Sequence, residues 1–172
     1  MDIIDFKLEY NWCLWYHPLN SNDWSIDSYE KIMNIKNYYD ICFMLNKFEN
    51  VNCGMFFLMK KDIMPIFEDE KNINGGYWSL RINKKDTSET WKKIIYYMLI
   101  EGILDNQENE NSINGISIGP KINNCIFKIW NSDYKSFNNN SLRDDIDIFI
   151  NNDLYYLEHK ESKKKSEKLE KN

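Results

Sequence analysis

Residues 65–78 read PIFEDEKNINGGYW. One aromatic residue, Phe67, stands directly before three acids, Glu68, Asp69 and Glu70; two glycines, Gly75 and Gly76, follow, and then Tyr77 and Trp78. The pattern has two readings. In the first it is a hairpin corner bounded by a solvated charge run. In the second a ring stacks on a flat ligand while a neighbouring carboxylate grips the ligand's edge. The paired glycines predict a tight turn, because glycine alone accepts positive φ cheaply.

On both sides of this stretch, short apolar runs alternate with helical patterns. WCLWYH (12–17), ended by Pro18, predicts a strand, as do CGMFFLMKK (53–61), YWSLRIN (77–83), INGISIG (113–119), CIFKIW (125–130) and LYYLEH (154–159). Tyr29, Ile32, Ile35, Tyr38, Tyr39 and Phe43 recur at helical spacing and predict a helix from an N-cap at Ser28 to about Phe48. A second helix is predicted over 86–104, and a third over NNNSLRDDIDIFINND, capped at Ser141. The polar loop LNSNDWS carries one ring, Trp24. Neither an internal repeat nor a linker interrupts the chain. This order suits an α+β fold in which three helices pack on one face of an antiparallel sheet. The expected domain is 1–160, followed by a charged tail, 161–172, expected to be disordered.

The length of 172 residues allows one domain with a proper core. Aromatics make up 15% of it, more than core filling needs, so some rings are candidates for a ligand. The net charge of -5 leaves no broad basic surface for a nucleic-acid backbone, so any such contact must be local and selective. Cys13, Cys42, Cys53 and Cys125 form no CxxC pair, and His17 and His159 are far apart in sequence, so no metal-ligand spacing is present. Reduced, mostly buried thiols of a cytosolic protein are expected. The acidic start MDIIDFKLEY is not the basic leader of a signal peptide, and no apolar run approaches the ~18 residues of a membrane span. The chain has no glycine-rich phosphate loop, GxSxG or HExxH, and no cofactor is expected. An enzyme holding Mg²⁺ on Glu68, Asp69 and Glu70 would still lack a nucleophile or base beside them. A protein-interaction module with a degenerate pocket is a third reading.

With its neighbours in order, PIFEDEKNINGGYW resembles the P-x-W-E-D-E-K-N-x-x-G-G-x-W element of the translation initiation factor 4E family, which binds the 5′ cap of mRNA. WCLWYH (12–17) is similar to the family's W-x-L-W strand, and Trp24 stands in the loop after it; CGMFFLMKKDIMPIF, the helix beginning at Thr90 and Trp91, and FKIW (127–130) continue the likeness over roughly residues 10–158. The resemblance implies a curved antiparallel sheet with three helices on its convex back. It also implies a ligand, 7-methylguanine, which is a flat ring carrying positive charge. Trp24 and Phe67 would sandwich it, Glu68 would accept hydrogen bonds from its edge, Trp130 would pack near the methyl group, and Lys121 would meet the phosphates. Trp12, Trp15, Trp78 and Trp91 are expected in the core or on sheet faces, and Asp69 and Glu70 in structural roles.

The sequence departs from the family pattern at three places. Phe67 stands where the family has tryptophan, and phenylalanine is the poorer cation–π partner. Weaker cap affinity, or tolerance of a further-methylated cap, is expected. Tyr77 and Ile126 replace two phosphate-binding cations; Lys128 or Arg81 is a candidate substitute. On the convex face the family's docking cluster for a helical scaffold or repressor peptide aligns with Tyr38, Cys42 and Lys92, with Phe43 one residue away. A lysine interrupting that patch puts the usual scaffold in question. The expected function is cytoplasmic cap binding in translation initiation; the alternative is a cap-binding repressor or variant that does not recruit the scaffold.

Overall fold

The computed structural model describes residues 7–161, so the charged tail from 162 onward lies outside the described residues. Seven strands form one antiparallel sheet, in the spatial order β2-β1-β3-β5-β6-β4-β7. They are β1 (Lys7–His17), β2 (Glu30–Asn37), β3 (Met55–Lys60), β4 (Gly76–Asn83), β5 (Ile113–Pro120), β6 (Asn124–Asn131) and β7 (Leu154–Glu158). Register shifts in β1–β2 and β5–β6 locally bend the sheet.

Strand alternation sorts the side chains onto two faces. Trp12, Leu14, Leu58, Ile116, Phe127 and Trp78 point to one face and form the main core with three helices. These are α1 (Tyr38–Lys47), α2 (Thr87–Tyr96, continuing as a π turn over Tyr97–Glu101) and the single turn α3 (Asp147–Ile150). α2 buries Thr87, Thr90, Trp91, Ile94 and Ile95, the i, i+3, i+4 stripe of an amphipathic helix. Gly102 ends it at φ 86, a left-handed conformation that favours glycine. The opposite, helix-free face carries a second, smaller apolar cluster of Phe57, Met59, Ile63 and Trp130, with Trp15, Tyr29, Met55 and Phe67 packed against it.

Four expectations need correction. The helix predicted from Ser28 starts at Tyr38 instead, because 30–37 is an edge strand in which Ile35 pairs with Trp12 and Met33 with Leu14. Pairing with β1 overrides a helical periodicity that rests on only a few residues. The N-cap is Asn37, whose side chain accepts from the Asp40 amide at 3.0 Å. The third predicted helix shrinks to four residues: Ser141 lies in a short 3₁₀ turn capped by Asn138, and Leu142 bridges to Leu104. Gly75 and Gly76 do not take positive φ. They are small because a Cβ on Gly75 would lie 1.8 Å from the Asn131 carbonyl oxygen, and one on Gly76 2.7 Å from that of Leu157. Finally, of the four free cysteines only Cys13 and Cys125 are buried, and Cys53 is exposed.

Candidate ligand cleft on the helix-free face

The acidic loop that opened the reading is braced by its own polar side chains. The Asp69 carboxylate accepts from the amides of Met64 and Lys71, each at 2.9 Å. Asn72, fully buried, donates to the carbonyls of Met64 and Ile66 at 2.9 and 2.8 Å and accepts from Asn114 at 2.9 Å. Both Asp69 oxygens are thus committed to backbone amides, which is a loop-shaping role and not that of a metal ligand. Bracing the loop at these points fixes where Phe67 and Glu68 emerge.

Phe67 rests on a platform of rings. Its centroid lies 5.1 Å from Trp130, 5.0 Å from His159, and 6.5 Å from Tyr77 at an interplanar angle of 6°. Trp130 is itself fixed by its indole N–H, which donates to the Ser117 hydroxyl at 2.9 Å. His159 is fully buried, and among the described residues neither ring nitrogen has a hydrogen-bond partner. Burial, and then the charge of Lys128, pushes its pKa down to about 3, so the ring beneath Phe67 is neutral. The Lys128 ammonium lies 4.4 Å from the Tyr77 centroid and 5.7 Å from that of Phe67. Burial, with the Lys121 charge second, lowers its pKa to about 8.

Trp24 is placed differently. It is 52% exposed, and one face lies flat on His17, with centroids 4.4 Å apart and planes within 1°. His17 Nε2–H donates to the Asp23 carbonyl at 2.7 Å, which ties the seat to the loop that carries Trp24. Trp24 and Phe67 do not touch. A run of ring contacts joins them across the sheet face: His17 to Tyr29 (4.8 Å), Tyr29 to Phe57 (5.3 Å), Phe57 to Trp130 (6.3 Å) and Trp130 to Phe67. Glu68 approaches the middle of this run. Its carboxylate helps burial, the larger cause, to raise the Tyr29 phenol to about 12.

Strand register puts both candidate cations on one face. Ser79 pairs with Lys128 and Arg81 with Ile126, so Lys128 and Arg81 share the face of Tyr77 and Trp130. Lys121 is exposed in the β5–β6 turn, close enough for its charge to lower the Lys128 pKa. The residues expected together, Phe67, Glu68, Trp130, Lys128 and Lys121, therefore cluster, and Trp24 faces them from the β1 side of the same surface. A cavity of about 680 Å³ shares Glu70 and Lys71 of the loop but is lined by none of these residues. Sequence reasoning missed His17, Tyr29 and His159 as parts of the cleft. Alternation from Trp15 would have placed His17 on this face, but no local signal marks His159.

On the helical face Tyr38 and Phe43 are exposed, and the Cys42 thiol one turn on pushes the Tyr38 phenol's pKa up. Lys92 pairs with Glu49 at 3.8 Å, and exposed Tyr96 lines a groove of about 310 Å³ between α2 and α3.

The model of the eukaryotic initiation factor 4E family matches residues 7–172. The chain belongs to that family. An initiation factor 4E homolog of Acanthamoeba polyphaga mimivirus is 33% identical over 69 residues, 40% of this chain and 25% of that protein. The initiation factor 4E of Dictyostelium discoideum is 25% identical over 138 residues, 75% of this chain and 53% of that protein, so the chain spans about half or less of these relatives. Among solved structures, a complex of C. elegans initiation factor 4E-3 with the 4E-binding protein Mextli and a cap analog superposes with a TM-score of 0.74. That match covers 92% of this chain and 95% of the other at 20% identity, a likeness of fold. The 4E-type fold of this chain thus includes the β2 edge strand, which its sequence hid.

Proposed function

We propose that this protein binds the 7-methylguanosine 5′ cap of mRNA and acts in the cytoplasm in translation initiation, as a binding protein and not a catalyst. The observation that carries the reading is the position of Glu68. It follows Phe67 directly in the braced loop and lies near enough to Tyr29 for its charge to add to the rise of that phenol's pKa, so its carboxylate would meet the edge of a ring held between Trp24 and Phe67. A cationic purine there gains stacking and cation–π attraction of about 2 kcal/mol once desolvated. Its edge N–H groups gain about 1.5–3 kcal/mol from each bond to the carboxylate. The phosphates would lie toward Lys128 and Lys121. The exposed Tyr38, Phe43 and Tyr96 on the helical face suit a scaffold or repressor peptide, which supports the initiation reading over a cap binder that recruits no scaffold.

The test is retention on cap-analogue resin with release by free analogue. The wild type should be retained and competed off, and Trp24→Ala and Glu68→Ala should each pass through. Retention of Glu68→Ala at wild-type strength would remove the edge contact and the reading with it.

A further inference from the structure

We propose that Arg81 and Tyr155 form a seat for the first nucleotide after the cap, with its base stacked on Tyr155 and its phosphate held by Arg81. The inference rests on the cap-binding reading and extends it to the RNA body. Leu154 and Tyr156 of β7 pack against the main core, so the intervening Tyr155 points to the helix-free face, where the residue is 60% exposed. Leu80 and Ile82 of β4 are likewise in the core, which places Arg81 on that same face.

The ladder fixes how these side chains lie relative to the cleft. Ser79 has Lys128 as its cross-strand partner on one side and Tyr155 on the other. Tyr155 is therefore one strand across and two residues along from Tyr77, roughly 8 Å from it on a sheet lattice. Arg81 and Tyr155 are diagonal neighbours across β4–β7, within reach of long side chains. Arg81 also faces Ile126 directly, so it brings a cation to a row of the sheet where β6 offers only an alkyl chain.

The occupant follows from charge and shape. In a chain of net charge -5, Lys121, Lys128 and Arg81 bring three cations to one end of this face. Among the described residues Arg81 has no ion-pair partner; exposed Asp153, just before β7, does not engage it. An unpaired guanidinium beside an exposed ring matches a nucleotide, which offers one anion and one π-face per unit. Such stacking is indifferent to base identity. Continuity with the cleft selects RNA attached to the cap: a triphosphate leaving the Phe67 platform past Lys128 runs onto this pair.

The experiment compares the affinities of three probes, a cap mononucleotide, a capped pentanucleotide and the same pentanucleotide uncapped, for the wild type, Tyr155→Ala, Tyr155→Phe and Arg81→Gln. The wild type should bind the capped pentanucleotide roughly ten-fold more tightly than the mononucleotide. Tyr155→Ala should erase that gain, Tyr155→Phe should keep it, and Arg81→Gln should reduce it and lower the salt slope by about one phosphate contact. Both Tyr155 variants should bind the mononucleotide like the wild type. Mononucleotide binding with no gain from added nucleotides, or a gain that survives Tyr155→Ala, would overturn this inference alone. Failure of the wild type to bind the mononucleotide would overturn the cap reading and this inference together.

Discussion

The two rings proposed to grip the ligand are built in opposite ways. Phe67 emerges from a loop pinned by Asp69 and Asn72 and lies on Trp130, His159 and Tyr77 before any ligand arrives. Trp24 sits in a polar loop, half exposed, with one stacking neighbour, His17. One jaw is preorganised by the fold; the other is a lid that leaves its seat at the cost of a single stack. The difference assigns the two jaws separate duties. In that proposal the platform would couple ligand binding to folding, whereas the lid would contribute to binding with little bearing on stability.

The strongest way to break this contrast is acid. His159 has a pKa near 3 in the folded protein, against an ordinary 6.5. Between those values the unfolded chain takes up a proton that the folded chain refuses, so stability is complete above pH 6.5 and falls as pH drops toward 3. The slope inside the window is about 1.4 kcal/mol per pH unit, so about 2 kcal/mol is lost by pH 5. Urea midpoints across that range should show the decline, and His159→Phe should flatten it. A wild-type curve no steeper than that of His159→Phe would mean that the platform is not built on a neutral imidazole.

Truncating the rings sharpens the comparison. Phe67→Ala should cost about 2 kcal/mol of folding stability, because a half-buried ring packed on three others is lost, and cap binding should fall with it. Trp24→Ala should leave stability within about 0.5 kcal/mol while weakening cap binding by about 2 kcal/mol. Thermal melts and cap-analogue titrations on the same two proteins separate the outcomes. Equal destabilisation by both substitutions would abolish the distinction between platform and lid.

What could be read in the sequence follows the same division. Phe67, Glu68 and Asp69 sit inside one short stretch whose residues brace each other, and β3 to β6 are continuous apolar or alternating runs, so local pattern and final structure agree. The β2 edge strand was hidden because Tyr29, Ile32 and Ile35 satisfy a helical spacing, and only pairing with Trp12 and Leu14 makes 30–37 extended. His17 and His159 were invisible as partners of the site. Each ends an ordinary apolar segment, and what makes them important is a ring laid on top: Trp24, from the next loop, on His17, and Phe67, from a loop distant in sequence, on His159. The glycines were located correctly but for another reason: the Asn131 carbonyl that crowds Gly75 belongs to a strand from the far half of the chain.

The finest test reverses the departure at the platform itself. Phe67→Trp enlarges the ring that would face a cationic base, and indole is the better cation–π partner, so cap affinity should rise by about 0.5–1 kcal/mol, a few-fold. The added ring must also fit over Trp130 and His159, which are 2% and 0% exposed and have little room to yield. Overpacking there costs about 1 kcal/mol or more of stability. Tighter binding in a less stable protein is therefore the expected pair of results, read by titration with a monomethylated and a further-methylated cap analogue and by thermal melts. If Phe67→Trp leaves affinity for both analogues unchanged, the ligand does not stack on this ring. The platform would then be a structural cluster and Trp24 a ring without an opposing partner.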